Sequence, residues 1–149
     1  MTQHKMVRRQ FLTRSAQAAA AAFAAPAILR GANLNQELHV ACVGVNGMGW
    51  ADLSSVGTHA KVKFVGFCDI DTNRFDKVDA NYPGVKHFAD YREMYAELGD
   101  KFDAVIVSTP DHSHAPAAMR AMAMGKHCYC QKPLTHSVWE SRHMRLMAD

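Results

Sequence analysis

The chain has 149 residues, of which 48% are hydrophobic and 21% are charged, so it is long enough and apolar enough for one globular domain with a core. Its formal charge of +3 is small. Much of the positive charge lies in four residues near the N-terminus: Lys5, Arg8, Arg9 and Arg14. The remaining charge offers no basic face, and we expect no nucleic-acid partner.

Residues 1 to 35 differ in character from the rest of the chain. Arg8-Arg9-Gln10-Phe11-Leu12 resembles the twin-arginine (Tat) export motif. The alanine tract that follows is short and weakly apolar, which suits that pathway and does not predict a stable membrane span. Ala22-Phe23-Ala24 or Ala25-Pro26-Ala27 offers a small-residue cleavage site. The alternative is an amphipathic or disordered N-terminal helix. We therefore exclude 1–35 from the fold and predict export to the periplasm through the Tat machinery.

A buried strand running into a glycine-rich turn dominates the next segment, LHVACVGVNGMG. The apolar run of 40–43 is typical of a parallel strand covered on both faces. The turn and the start of the following helix are predicted to hold a pyrophosphate, with the residues Gly44, Asn46, Gly47, Met48 and Gly49. The usual fingerprint is G-x-G-x-x-G, and Asn46 stands in its middle glycine position.

A second apolar run, VKFVGFCD, ends at Asp69, about twenty residues after Gly49. A carboxylate at this position can accept hydrogen bonds from a ribose diol. A glycine pattern alone also occurs by chance in loops, but the order of strand, turn, helix and distant Asp69 favours a dinucleotide-binding fold.

Five strands alternate with helices along the chain. The later strands are predicted at 85–88, 102–107 and 127–130. Helices are predicted from a Thr72 N-cap to Ala80, from an Asp90 cap over 91–98, over 113–124, and after a cap at Thr135 or Ser137. This alternation predicts an α/β fold with a doubly wound parallel sheet.

The unusual polar clusters all follow predicted strands: Asn46, Asp69, the segment Ser108 to His114, and Gln131-Lys132. Because ligands of such sheets bind at the carboxyl ends of the strands, we expect these clusters to form one site. This coincidence is the strongest physical argument that the sequence offers.

Lys132 is the candidate for catalysis, since it ends a buried strand and Pro133 restricts the backbone after it. A lysine in a cleft can orient a hydroxyl or help to move a proton; the alternative is an ordinary surface lysine. Asp111-His112-Ser113-His114 lacks a third ligand at metal-binding spacing, so we predict no metal site and place His114 near a cofactor. The four cysteines show no C-x-x-C spacing, and Cys128 and Cys130 are predicted to be neighbouring buried thiols rather than a bridge.

Four motifs together resemble the N-terminal domain of the Gfo/Idh/MocA oxidoreductases: GVNGMG, FCDID, STPDHSHAPAAMRAMAMGKH and CQKPLTHSVWE. The resemblance covers Leu38 to Asp149, and the pairing of S-T-P-x-x-x-H with K-P at this spacing is its specific part. It implies a Rossmann domain over 36–149 that binds NAD, or alternatively NADP, and a sugar or polyol substrate. It also implies that Ser108, Thr109, Pro110 and His114 line the cofactor, that Gln131 replaces a common glutamate beside it, and that Lys132 reaches nicotinamide and substrate.

Members of this family carry a second, β-rich domain with the substrate pocket, which is absent from this chain. The resemblance therefore implies a C-terminally truncated cofactor domain that is inactive alone, and a homo-oligomer for the full-length protein. Two other interpretations stay open. One is an NAD-dependent glycosidase of the same superfamily, whose members commonly lack the lysine of the K-P motif. The other is a non-catalytic nucleotide-binding module.

Overall fold

The computed structural model describes residues 37–148, and the predicted export signal lies outside this range. Within it, five strands form one sheet: β1 (Leu38–Val43), β2 (Val62–Cys68), β3 (His87–Phe88), β4 (Ala104–Val107) and β5 (His127–Cys130). The sheet order is β3-β2-β1-β4-β5, and every neighbouring pair is parallel. The predicted doubly wound parallel sheet is confirmed.

A helix follows each strand, and the helices cover both faces of the sheet. They are α1 (Met48–Val56), α2 (Asp76–Asn81), α3 (Tyr91–Leu98), α4 (His114–Ala123) and α5 (Val138–Ala148). One face packs Leu53 of α1 and Val78 of α2 against the sheet. The opposite face packs residues of α3, α4 and α5, such as Met94, Ala118 and Met144. Burial on both faces explains why the central strands are apolar without alternation.

The prediction for the segment after β2 was wrong in detail. Thr72 does not cap a helix; it begins a 3₁₀ turn, Thr72–Arg74, whose N-cap is Asp71. The Asp71 side chain accepts a hydrogen bond from the Asn73 N–H at 3.1 Å, and α2 starts only at Asp76. An aspartate is a better N-cap than a threonine, and here it lies one position earlier.

Other element ends follow their capping chemistry. Asp90 caps α3 through the Arg92 N–H, as predicted. Of the two candidates for the last helix, Ser137 is the cap: its hydroxyl accepts from the Glu140 N–H at 3.2 Å, and the Glu140 carboxylate accepts from the Ser137 N–H at 2.9 Å. This reciprocal pair is a capping box.

Strand β3 is shorter than predicted, because only His87–Phe88 pairs with β2. All four cysteines are free thiols, with Cys128 and Cys130 half-buried. Among the described residues, no helix has the length and apolar character needed to cross a bilayer.

Candidate functional site

The sheet changes direction between β1 and β4. From β1 the chain builds outward through β2 to β3, then returns to the other side of β1 with β4. The turn after β1 and the loop after β4 therefore meet at the carboxyl edge of the sheet, where a doubly wound sheet binds its ligand.

Glycines allow the backbones to approach closely at this edge. Gly44 has φ +85°, and a Cβ built on it would lie 2.5 Å from the Ser108 carbonyl oxygen, in the loop after β4. Gly49, in the first turn of α1, leaves even less room: its Cβ would lie 2.2 Å from the Gly44 carbonyl oxygen. Neither position accepts a side chain without moving backbone. The turn is thus compressed between α1 and the loop after β4.

The tip of the turn is open. Gly47 has φ +56°, and a Cβ there would meet nothing within 4 Å. Asn46 occupies the fingerprint's middle glycine position without a positive φ, and its Oδ1 accepts the Gly47 N–H at 2.8 Å. Asn46 therefore organises the tip of the turn through its side chain. The open space in front of Gly47 and the following helix N-terminus suit an anionic group such as a pyrophosphate.

A cleft of about 590 Å³ opens above these loops. Its walls come from the ends of β1, β2 and β4 and from the segment that leads into α3. Among the residues lining it are Gly44, Asn46, Gly47, Asp69, Asp71, Arg74, Ser108, Thr109 and Pro110. Three of the four strand-end clusters found in the sequence thus converge on one cleft; the fourth, Gln131-Lys132, does not line it.

Asp69 joins the end of β2 to the glycine-rich turn. Its Oδ2 accepts the Val45 N–H at 3.2 Å, and its Oδ1 accepts the Asp71 N–H at 3.1 Å. Each oxygen of a carboxylate can accept a second hydrogen bond. Asp69 is therefore able to receive a ribose diol while it holds the turn in place.

Two arginines line the same end of the cleft, and each is paired with an aspartate of its own loop. Arg74 donates its Nε–H to Asp71 Oδ2 at 2.8 Å, and the pKa of the Asp71 carboxyl is lowered, chiefly by this hydrogen bond. Arg92 donates to both oxygens of Asp90, with the shortest N···O distance at 2.7 Å, and the Asp90 pKa is likewise lowered. With Asp69 added, this end of the cleft carries no excess positive charge.

His114 is placed behind the cleft rather than in its wall. It is 1% exposed, and both ring nitrogens face backbone carbonyls. Nδ1 lies 2.6 Å from the Pro133 oxygen, and Nε2 lies 2.7 Å from the Thr109 oxygen. One ring therefore bridges the loops that follow β4 and β5. Both of its nitrogens are engaged within the protein.

Lys132 and Gln131 follow β5, next to the loop after β4. The Lys132 side chain is exposed, and no acidic group in the described part of the chain forms an ion pair with it. The Lys132 N–H donates to Gln131 Oε1 at 2.7 Å. Gln131 in turn donates its Nε2–H to Asp52 of α1, at 3.0 Å to Oδ2. Neither Lys132 nor Gln131 lines the cleft itself.

Asp52 is a polar residue of this region that the sequence argument missed. It is half-buried, and the Ser108 hydroxyl donates to its Oδ2 at 2.6 Å. A signal was present: Asp52 comes three residues after Gly49, so both lie on the same face of α1. Since Gly49 must face the glycine-rich turn, Asp52 is placed one helical turn further along the same edge.

Of the predicted site residues, seven line the cleft and five do not. Gly49 and His114 are buried behind it, Gln131 joins α1 to the end of β5, and Met48 and Lys132 are exposed. Within residues 37–148, no group of three or more metal-ligating side chains comes together.

Comparison with known proteins identifies the family to which this arrangement of residues belongs. A family model described as the GFO_IDH_MocA oxidoreductase family, NAD-binding Rossmann fold, matches residues 38–149. The chain belongs to the Gfo/Idh/MocA family. It therefore contains an NAD-binding Rossmann domain, as its sequence predicted, and it is part of an oxidoreductase family.

Relatives with different activities share this domain. The chain is 30% identical over 111 residues to an inositol 2-dehydrogenase of Rubrobacter xylanophilus, covering 72% of this chain and 30% of that protein. It is 32% identical over 114 residues to a glycosyl hydrolase family 109 protein of Akkermansia muciniphila, covering 69% and 23%. The chain thus spans less than a third of the length of these relatives.

Solved structures show the same fold. The WlbA dehydrogenase of Bordetella pertussis, in complex with NADH and UDP-GlcNAcA, aligns with a TM-score of 0.68 at 20% identity, over 76% of this chain and 34% of that one. At this level of identity the match concerns the fold. It agrees with the parallel five-stranded sheet described above.

Proposed function

We propose that this chain is the cofactor domain of an exported, NAD-dependent oxidoreductase that acts on a hydroxyl group of a sugar or polyol. The observation that carries the proposal is the convergence of three elements at one edge of the sheet. These are the compressed glycine-rich turn, the carboxylate of Asp69, and Lys132 in the segment that follows β5. Each suits a different part of one dinucleotide-dependent reaction.

The residues present fit the cofactor. The turn from Gly44 to Gly47 presents backbone with little side chain, as close contact with a pyrophosphate requires. Asp69 has acceptor capacity left for a ribose diol. The loop Ser108 to Pro110 would line the remainder of the cofactor. When bound, the nicotinamide supplies the hydride acceptor or donor.

We assign proton transfer in this reaction to Lys132. When an alcohol is oxidised, hydride leaves the carbon and a proton leaves the oxygen, so the site needs a group that holds the hydroxyl and its proton. Lys132 lies two residues after β5, beside the loop after β4, and its ammonium has no ion-pair partner in the described chain. It is therefore available to a substrate hydroxyl. His114 is a positioning residue here, since it bridges the two loops and has no free ring nitrogen.

The charges at the Asp69 end of the cleft, where the adenosine ribose would bind, support NAD over NADP. A 2′-phosphate needs an available cation, but Arg74 and Arg92 are each paired with an aspartate. The third aspartate at this end, Asp69, repels a phosphate. Export rests on the twin-arginine sequence, since a pathway that carries folded proteins suits a protein that binds its cofactor in the cytoplasm.

A glycosidase of the same superfamily is the second candidate, because the Akkermansia relative is named as a glycosyl hydrolase. Lys132 argues against it, since glycosidases of this superfamily commonly lack the lysine of the K-P motif. Release of p-nitrophenol from a panel of p-nitrophenyl glycosides, without net NADH formation, would favour the glycosidase. Net NADH formation from free sugars or polyols would favour the oxidoreductase. NAD binding without either reaction would favour a non-catalytic module.

The test measures NAD binding and turnover separately. Calorimetric titration should show NAD binding to the chain, and Lys132→Ala should keep the NAD dissociation constant within about tenfold, or 1.4 kcal/mol. In the protein as its gene encodes it, assayed with a panel of sugars and polyols that includes myo-inositol, the same change should lower turnover by about 10²-fold or more. Lys132→Arg should also be poor, because a guanidinium stays protonated and has a different shape.

The matched control is Lys77→Ala, which removes an exposed lysine from α2 on another part of the surface. It should change neither NAD binding nor turnover. Near-normal turnover of Lys132→Ala would refute the assignment of the lysine, and failure of the wild-type chain to bind NAD would refute the proposed function as a whole.

A further inference from the structure

Asp52 connects three elements that meet beside the cleft. It projects from α1 and accepts the Ser108 hydroxyl of the loop after β4 at 2.6 Å. It also accepts the Gln131 side-chain amide from the end of β5, at 3.2 Å to Oδ1 and 3.0 Å to Oδ2. These partners lie 56 and 79 residues away in sequence. Such contacts fix tertiary geometry rather than local structure.

Gln131 links Asp52 to the backbone of Lys132. Its Nε2 faces the Asp52 carboxylate, and its Oε1 accepts the backbone N–H of Lys132 at 2.7 Å. The amide orientation follows from the partners, because an ionised carboxylate only accepts and a backbone N–H only donates. A side chain at position 131 must therefore donate at one end and accept at the other.

We infer that Asp52 is a positioning residue that fixes the backbone of Lys132 through the amide of Gln131. This inference rests on the proposed role of Lys132, but it concerns a contact that is measured without any substrate. It also explains why a glutamine stands at position 131. A glutamate there would place a second carboxylate about 3 Å from the Asp52 oxygens, where like charges repel and neither side chain can donate to the other.

The pair can be reversed. Asparagine at 52 and glutamate at 131 restore one donor amide and one acceptor carboxylate, and the carboxylate of residue 131 still accepts the Lys132 N–H. The Ser108 hydroxyl can donate to the amide oxygen of residue 52 as well. Rescue by the reversed pair is therefore a signature that general loosening of the fold does not produce.

The experiment follows the Lys132 amide by NMR in lysine-selectively ¹⁵N-labelled chain. Its hydrogen bond is reported by the amide proton shift and by the rate of exchange with water, measured by magnetisation transfer. We expect Asp52→Ala and Gln131→Glu each to raise the exchange rate at Lys132 by about tenfold and move its proton signal upfield. We expect the double variant Asp52→Asn, Gln131→Glu to restore both within about twofold.

A pH series provides the second readout. In Gln131→Glu, acidification protonates one carboxyl of the facing pair and supplies the missing donor, so the Lys132 signal should return toward its wild-type position at low pH. Wild type and the double variant already pair one carboxylate with one donor amide, so acid has no missing donor to supply and should not improve the Lys132 contact in either. Asp76→Asn, which removes an exposed carboxylate from the start of α2, is the control and should leave the Lys132 signal unchanged.

An unchanged Lys132 amide in Asp52→Ala would overturn the inference, as would a double variant no better than Gln131→Glu. Either result would leave the proposed function standing if NAD still binds and Lys132→Ala still lowers turnover strongly. Conversely, a shifted Lys132 amide together with full turnover by Lys132→Ala would retain the contact but remove its catalytic meaning, and the positioning role would be wrong.

Discussion

Gly49 offers the sharpest test of the compressed turn, because two opposing effects of one methyl group can be compared. Gly49 lies inside α1 with no positive φ, so alanine is conformationally acceptable there and helix propensity alone would favour it by up to about 1 kcal/mol. Against this, the new Cβ would lie 2.2 Å from the Gly44 carbonyl oxygen. Ordinary van der Waals contact requires at least about 1.2 Å more separation between this Cβ and that oxygen.

Steric conflict should dominate in Gly49→Ala. Forcing a methyl group into a packed site costs about 1–3 kcal/mol, and here the neighbour is backbone that cannot rotate away. After the propensity gain, we expect the free energy of unfolding to fall by about 1–2 kcal/mol, which for a domain of this size lowers Tm by about 4–9 °C. Because the turn itself must move, the NAD dissociation constant should rise at least about tenfold.

Urea unfolding followed by circular dichroism gives the stability, and calorimetric titration gives the NAD affinity. Ala51→Gly is the matched control: the residue is exposed on the same helix, so it reports the propensity effect without a steric one. It should cost up to about 1 kcal/mol and leave NAD binding unchanged. A Gly49→Ala variant that is as stable as wild type and binds NAD equally well would refute the idea that α1 and the turn are in close contact.

Three further predictions concern cofactor choice, export and the thiols. The wild-type chain should bind NAD more tightly than NADP in calorimetric titrations, and Asp69→Ala should weaken NAD binding at least about tenfold; equal affinity for NADP in wild type would contradict the assignment of Asp69. Residues 1–35, fused to a reporter that works only when it is exported folded, should deliver the reporter to the periplasm. The double variant Arg8→Lys, Arg9→Lys should stop delivery. Continued delivery by this variant would exclude the twin-arginine route. Partial burial raises the pKa of the Cys130 thiol to about 11, which lowers its thiolate fraction at pH 8. Iodoacetamide should therefore modify this residue far more slowly in the folded chain than in urea, and equal rates would show that the fold does not shield the thiol.

Much of the fold was readable because its signals are local. Apolar runs with short connections specify buried parallel strands, and Asp90 and Gly99 mark the two ends of α3 in sequence. The start of the region after β2 was not readable, since both Asp71 and Thr72 are acceptable caps and only the chain path decides between them.

The site residues, like the fold, were predictable where the signal is local in the sequence and not where it depends on distant segments. Glycines and Asp69 were found because the spacing of a dinucleotide motif is a sequence property. Asp52 was missed although its spacing from Gly49 places it on the same face of α1, because its partners Ser108 and Gln131 lie in two distant segments. The burial of His114 between two carbonyl groups was hidden for the same reason, since the Pro133 carbonyl belongs to a loop 19 residues further along.

Asp69 combines a proposed role in binding the ribose with a structural role in the turn, and this combination limits how cofactor preference can change during evolution or engineering. Its carboxylate holds the Val45 and Asp71 amides, so the group proposed to recognise the ribose also maintains the shape of the turn. A substitution at this position that admits a 2′-phosphate would release those amides as well and weaken the grip on either dinucleotide. A change of cofactor preference toward NADP would therefore have to begin at a neighbouring residue that does not also hold the turn. Asp71→Asn is the natural first step, because it frees the Arg74 charge while position 71 keeps its backbone bond to Asp69.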